Sequence, residues 1–321
     1  MLTDDIWSRL TGSANYVKAI DWETGDFTRL GLKNVHRESW EIRATWEPET
    51  WGSARILTPH EQRLHMESDG WSPSTTPGGV RGNVYSLKAF TPEAVKSESA
   101  HIKDSIVLID LDSRNAAEPL LWGKLSDSVT QIAGEGARAI LLGVGGTNDV
   151  PSMLGFSCCS GNIAPLPVGN VGQEDTQLLR RMLDHGPVEA EFRFANRIRE
   201  HVEIDNVVAD IPGPDPDAGY VLVGGHLDSW HLGTGAEDDG TGAATVMAVA
   251  EPSRPAGCSR SAPCDSCFLA ARNRVCWDRF ILSARTQRRW KDSLRSSTGT
   301  ISSRTSSRTR CSRVVSQRFV A

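Results

Sequence analysis

Residues 220–250 constrain the fold more than any other stretch. Tyr220-Val221-Leu222-Val223-Gly224-Gly225 is a short continuous apolar run, the pattern of a strand buried on both faces. It leads into His226-Leu227-Asp228-Ser229-Trp230-His231, then Gly235-Ala236-Glu237-Asp238-Asp239-Gly240, and then a small-residue, helix-compatible run from Thr241 to Ala250. Strand, polar loop and helix in that order form an α/β unit, and open α/β sheets place ligands just past the C-terminal ends of their strands. An imidazole and several carboxylates are therefore expected at that edge, with the Asp238-Asp239 pair near a helix N-terminus.

The preceding chain repeats the α/β theme. Ser105–Leu111 and Ala137–Val144 are buried-strand runs flanking a helix over Leu125–Gly136, and Ala164–Val171 is a third short strand followed by a helix over Asp175–Asp184. Val188–Phe194 alternates strictly and is read as one strand, with Val202–Asp210 as a separate strand after it. Near the start, loosely helical spacing covers Ile6–Phe27, and Trp40–Trp46 alternates as a half-buried strand does. Residues 53–92 are rich in Gly, Pro, Ser and Thr and are read as β-rich with long loops.

His226, Asp228 and Asp238 suit a zinc shell. Neutral imidazole binds the metal, and a carboxylate behind the ring orients it. Asp228 is spaced to back His226, while Asp238 offers a carboxylate to the metal. Solvated loop residues capping a helix are the alternative reading of the same pattern.

Gly225-His226-Leu227-Asp228-Ser229-Trp230 with Gly235-Ala236-Glu237-Asp238-Asp239-Gly240-Thr241-Gly242 resembles the co-catalytic dizinc exopeptidases, the aminopeptidase S, glutamate carboxypeptidase II and carboxypeptidase Q type. The His-Leu-Asp-Ser-Trp wording resembles the carboxypeptidase Q branch. Arg9-Leu10-Thr11-Gly12-Ser13 with Trp22, Phe27 and Leu30-Gly31-Leu32 is similar to the family's opening helix, and Asp205–Gly213 to the strand before its metal-bearing strand. Asp104–Asp110, Gly134–Ile140 and Leu166-Pro167-Val168 are similar to the protease-associated domain of these enzymes.

The resemblance implies a mixed-sheet zinc-peptidase domain (1–54 and 173–251) with an inserted β-rich protease-associated domain (55–172). By it, His226 binds one zinc, Asp238 bridges two, and Asp228 is the catalytic-site aspartate that orients His226. A cis bond at Asp238-Asp239 is part of the same pattern, and His231 has no family role. The implied activity is hydrolysis of a terminal bond in small peptides or at a polypeptide terminus by metal-activated water. The resemblance allows a homodimer, and a secreted or periplasmic location is common in the family, although Met1–Asp5 resembles no secretory leader. The alternative is a non-enzymatic peptide- or protein-binding module built on the protease-associated domain.

A compositional break follows Ala250. Glu251-Pro252 ends the helix, and residues 252–321 hold 14 arginines and one lysine against three aspartates, with five of the seven cysteines. Residues 1–251 are correspondingly acidic, and the whole chain has a formal net charge of −5, so neither nucleic acid nor membrane is expected as its partner. Cys264-x-x-Cys267 is half of a zinc motif without a second half. A one-base shift explains more. With suitable codons, Leu269–Arg279 reads Gly-Gly-Glu-Glu-Gln-Gly-Leu-Leu-Gly-Ser, the family's next stretch, and Arg260–Cys267 then supplies the strand before it. Residues 252–321 are thus expected to be an out-of-frame tail, irregular from about 255. The family's general base and remaining zinc ligands would be missing, and the chain inactive or nearly so.

Overall fold

The computed structural model describes residues 1–89, 91–111, 119–144, 148, 150–152, 155–156, 161–212, 221–251 and 266–272. In chain order they form α1 (Ala14–Arg29), β1 (Lys33–Thr58), β2 (Gln62–Leu64), β3 (Met66–Ser68), β4 (Val80–Leu87), α2 (Pro92–Ser97), α3 (Ser99–Ile102) and β5 (Ile106–Asp110). Then come α4 (Pro119–Gly134), β6 (Ala139–Gly143), β7 (Val168–Val171), α5 (Gln173–His185), β8 (Glu189–Pro212), β9 (Val221–His226), a π-turn (Ala236–Gly240), α6 (Thr241–Ala250) and β10 (Ser266–Arg272). The fold is mixed α/β. It divides into two compact units, Met1–Glu41 with Glu203–Ala321, and Ile42–Val202. The second unit is wider at both ends than the 55–172 insertion read from sequence.

In the Ile42–Val202 unit, β4, β5, β6 and β7 run parallel, β3 joins β7 antiparallel, and β8 pairs antiparallel with β4. The apolar runs of β5 and β6 are continuous because both faces of the sheet are covered. Ile106, Leu108, Ala139 and Leu141 pack into a core with Leu179 and Met182 of α5. Val107, Ile109, Ile140 and Leu142 point the other way, into a core with Val129 and Ile132 of α4. All four β5 residues Ile106–Ile109 are fully buried. Each such side chain stabilises the unit by roughly 1.5–3 kcal/mol relative to exposure.

The sequence reading of two strands over 188–210 is corrected. β8 is one strand of 24 residues. Nothing between Ala195 and His201 is Gly or Pro, so no residue there stops the extended backbone. A single left-handed residue, His201 at φ 52°, marks the middle instead.

In the other unit, α1 begins at Ser13, whose hydroxyl accepts the N–H of Tyr16 at 3.1 Å, a cap stabilising by about 1 kcal/mol. Tyr16, Ala19, Ile20, Glu23 and Phe27 are its buried positions, one stripe at helical spacing. The helix starts later than the Ile6–Phe27 reading because Gly12, at φ 78°, turns the chain just before the cap.

The expectation of an irregular tail from about 255 is corrected at one place. Ser266–Arg272 forms β10, antiparallel to β8 from Val207 to Pro212 and parallel to β9 from Val221 to His226. The apolar run Cys267-Phe268-Leu269-Ala270-Ala271 suits a central strand, and the ladder of backbone hydrogen bonds asks only for an extended segment without proline. The remainder of the 252–321 tail lies outside the described residues. No helix among the described residues is long and apolar enough to cross a membrane.

Candidate metal centre

β9 ends at His226, and the chain then loops back so that residues 235–242 cross the strand's end. Gly235 takes a left-handed φ of 63°, and a Cβ there would fall 2.3 Å from the Ser229 side chain and 2.7 Å from the Arg9 guanidinium. Only glycine fits that passage. The next turn, Ala236–Gly240, contains a cis peptide between Asp238 and Asp239, and α6 starts at Thr241.

Twelve residues apart in sequence, His226 and Asp238 meet: Nε2 lies 2.8 Å from Oδ1 of Asp238. On the other side of the ring, Nδ1 lies 2.9 Å from Oδ1 of Asp228 and 3.0 Å from its backbone carbonyl. The imidazole is thus gripped by one carboxylate at each nitrogen. Asp228 is nearly buried, whereas the Asp238 side chain is 65% exposed. Burial works against a charge on His226, but the hydrogen bonds to Asp228 and Asp238 outweigh it and raise its pKa to about 10. Nε2 of His226 and Oδ1 of Asp238 thus face one position, and a cation bound to both would compete with a proton for it.

Sequence reasoning gave Asp239 no role of its own. One of its oxygens accepts the backbone N–H of His226 at 3.1 Å, and the other accepts that of Gly242 at 2.9 Å. It splices the end of β9 to the first turn of α6, satisfying a helix N–H that has no partner within the helix. Arg9 and Thr11, quoted above only as part of a matching string, also belong to the site. Fully buried, the Arg9 guanidinium donates to the carbonyls of Leu227 (2.6 Å), Thr234 (2.8 Å) and Gly235 (3.1 Å). Burial lowers its pKa, and Asp228 and Asp239 act in the opposite direction. The hydroxyl of Thr11 donates to Oδ2 of Asp228. No local periodicity signals these contacts, because Arg9 and Thr11 lie more than 200 residues from their partners.

His231 is not among the hydrogen-bond partners of the His226 ring, which are Asp228 and Asp238. It is buried, and burial lowers its pKa to about 4. Among the described residues no group of three or more His, Cys, Asp or Glu side chains forms a metal cage.

The sequence model of peptidase family M28 matches residues 206–255, the stretch that holds His226, Asp228, Asp238 and Asp239. Human carboxypeptidase Q is 28% identical over 245 residues, covering 76% of this chain and 51% of its own length. A probable leucine aminopeptidase 2 of Aspergillus fumigatus is 33% identical over 251 residues, covering 76% of this chain and 44% of its own length. The chain spans about half the length of the curated relatives it matches. Among solved structures, a peptidase M28 precursor from Shewanella amazonensis superposes with a TM-score of 0.66 at 25% identity, over 84% of this chain and 61% of that one. A zinc aminopeptidase from Bacillus subtilis shares the fold with a TM-score of 0.59 at 19% identity, over 84% and 58%. In the matched stretch, in its relatives and in its fold, the chain is similar to the peptidases of family M28.

Proposed function

We propose that this chain carries the first part of the zinc centre of an exopeptidase that removes a terminal residue from small peptides. The observation that carries the reading is His226 held between Asp228 and Asp238, each 2.8–2.9 Å from a different ring nitrogen. The donor types fit zinc: an imidazole nitrogen with a carboxylate behind it, and a second carboxylate facing the same nitrogen. Zinc, when bound, activates a water molecule and polarises a carbonyl. Asp228 fixes the ring so that Nε2 faces Asp238, and the exposure of Asp238 leaves its carboxylate open to a second ion. Both zinc ions of the family site, with Asp238 as their bridge, belong to this proposal, as does the protease-associated character of the Ile42–Val202 unit.

A zinc shell takes three or four protein donors, and His226 and Asp238 supply two. The out-of-frame reading of residues 252–321 accounts for the shortfall, so the chain is proposed to bind zinc incompletely and to hydrolyse peptides poorly. Metal analysis of the purified chain after dialysis, with a dipeptide hydrolysis assay, tests this. Less than one zinc per chain and background hydrolysis are expected. Two tightly held zinc ions, with hydrolysis abolished in His226→Ala, would contradict the partial site.

A further inference from the structure

We propose that Thr11 is a positioning residue for the metal centre: its hydroxyl anchors the outer oxygen of Asp228, so that the inner oxygen holds the His226 ring in the orientation that binds a divalent cation. The inference rests on the zinc reading of His226 and Asp238, and it adds a residue from the other end of the chain.

The geometry runs in series. Thr11 is buried, and its hydroxyl donates to Oδ2 of Asp228. The other oxygen, Oδ1, lies 2.9 Å from Nδ1 of His226. A carboxylate anchored at one oxygen can still turn about its side-chain torsions, whereas one anchored at both cannot. Removing the Thr11 hydroxyl also takes one donor from a buried carboxylate, which favours a turn toward another N–H or O–H nearby.

Thr11 is itself held in place. The N–H of Arg9 donates to Oγ of Ser229 at 3.1 Å, and the N–H of Ser229 donates back to the Arg9 carbonyl at 3.1 Å. The Arg9 guanidinium then gathers the carbonyls of Leu227, Thr234 and Gly235, on both sides of the turn between His226 and Asp238. Two residues on, Ser13 caps α1. Segment 9–13 is thereby fixed between the metal loop and a helix, and Thr11 has little freedom to follow Asp228 should it turn.

The test compares Thr11→Val, which keeps the shape and loses the hydroxyl, with Thr11→Ser, which keeps the hydroxyl. Zinc affinity is measured by titration calorimetry, and the His226 Nδ1 proton by nitrogen-15 NMR in the metal-free chain, with thermal melts to verify folding. Thr11→Val should weaken zinc binding, by up to the roughly 10–100-fold that losing an outer partner of a metal ligand costs. It should also broaden or shift the Nδ1 proton signal, and Thr11→Ser should restore both. Unchanged affinity and an unchanged Nδ1 signal in a folded Thr11→Val chain would overturn the proposal. Loss in Thr11→Ser as large as in Thr11→Val would overturn it too, since the hydroxyl would then not be the cause. If the unaltered chain binds no zinc, the metal reading fails separately, and the Nδ1 signal of the two variants still decides the role of Thr11.

Discussion

Asp239 accepts the backbone N–H of His226 at 3.1 Å, and with its second oxygen it reaches the N–H of Gly242 at 2.9 Å. The carboxylate lies so close to α6 that a Cβ on Gly242 would sit 2.2 Å from both of its oxygens. The last glycine of the Gly-Ala-Glu-Asp-Asp-Gly-Thr-Gly stretch thus makes room for an acid, quite apart from any metal. Gly242→Ala is expected to lower stability by about 1–3 kcal/mol, the usual cost of overpacking a tight site. Urea unfolding measures it, and an unchanged midpoint would show that Asp239 can move away freely.

Glu23 offers a test at a residue that is not a metal ligand. Its carboxyl is fully buried in α1, with no hydrogen-bond partner among the described residues. Burial pushes its pKa well above the ordinary carboxylate value, and Asp26 adds to the rise. A raised carboxyl pKa means that the neutral form is favoured in the fold. Its contribution to stability is intact below the unfolded pKa of about 4.3 and is lost as pH rises above it. Glu23→Gln should therefore stabilise the protein at pH 7 and change little at pH 4. Equal effects at both pH values would show that the carboxyl is not held neutral.

His231 works in the opposite direction. With a folded pKa lowered to about 4 by burial, it is neutral in the native protein. Its unfolded pKa is near 6.5, so unfolding takes up a proton between those values, and stability falls as pH drops from about 6.5 toward 4. The loss amounts to about 1–3 kcal/mol at the acid end. His231→Phe should flatten this part of a stability–pH curve measured by urea unfolding, and a curve as steep as before would point to another group.

Much of the fold was legible because the period of apolar residues reports which faces are covered. The runs at Ile106–Ile109 and Ala139–Leu142 read as doubly buried strands, and they divide their side chains between two cores. His226, Asp228 and Asp238 were legible as a group through the wording of one motif. The path of the loop that joins His226 to Asp238 follows from no local preference. Arg9 and Thr11 escaped because a contact across 217 or 218 residues leaves no periodic trace. The unbroken course of β8 escaped because alternation lapses near His201, where one left-handed residue interrupts the extended backbone without ending the strand. β10 escaped for the opposite reason: a short apolar run in an Arg-rich tail acquires meaning only beside the edges of β8 and β9 that it fills.

The central claim is that His226 and Asp238 face one metal position. Anomalous diffraction at the zinc edge, from crystals of the whole chain equilibrated with zinc, tests it most directly. The account predicts a peak within about 2.0–2.2 Å of both Nε2 of His226 and a carboxylate oxygen of Asp238, lost in His226→Ala and retained in His231→Ala. Zinc found at His231 or at cysteines of the tail, with none beside His226, would contradict it.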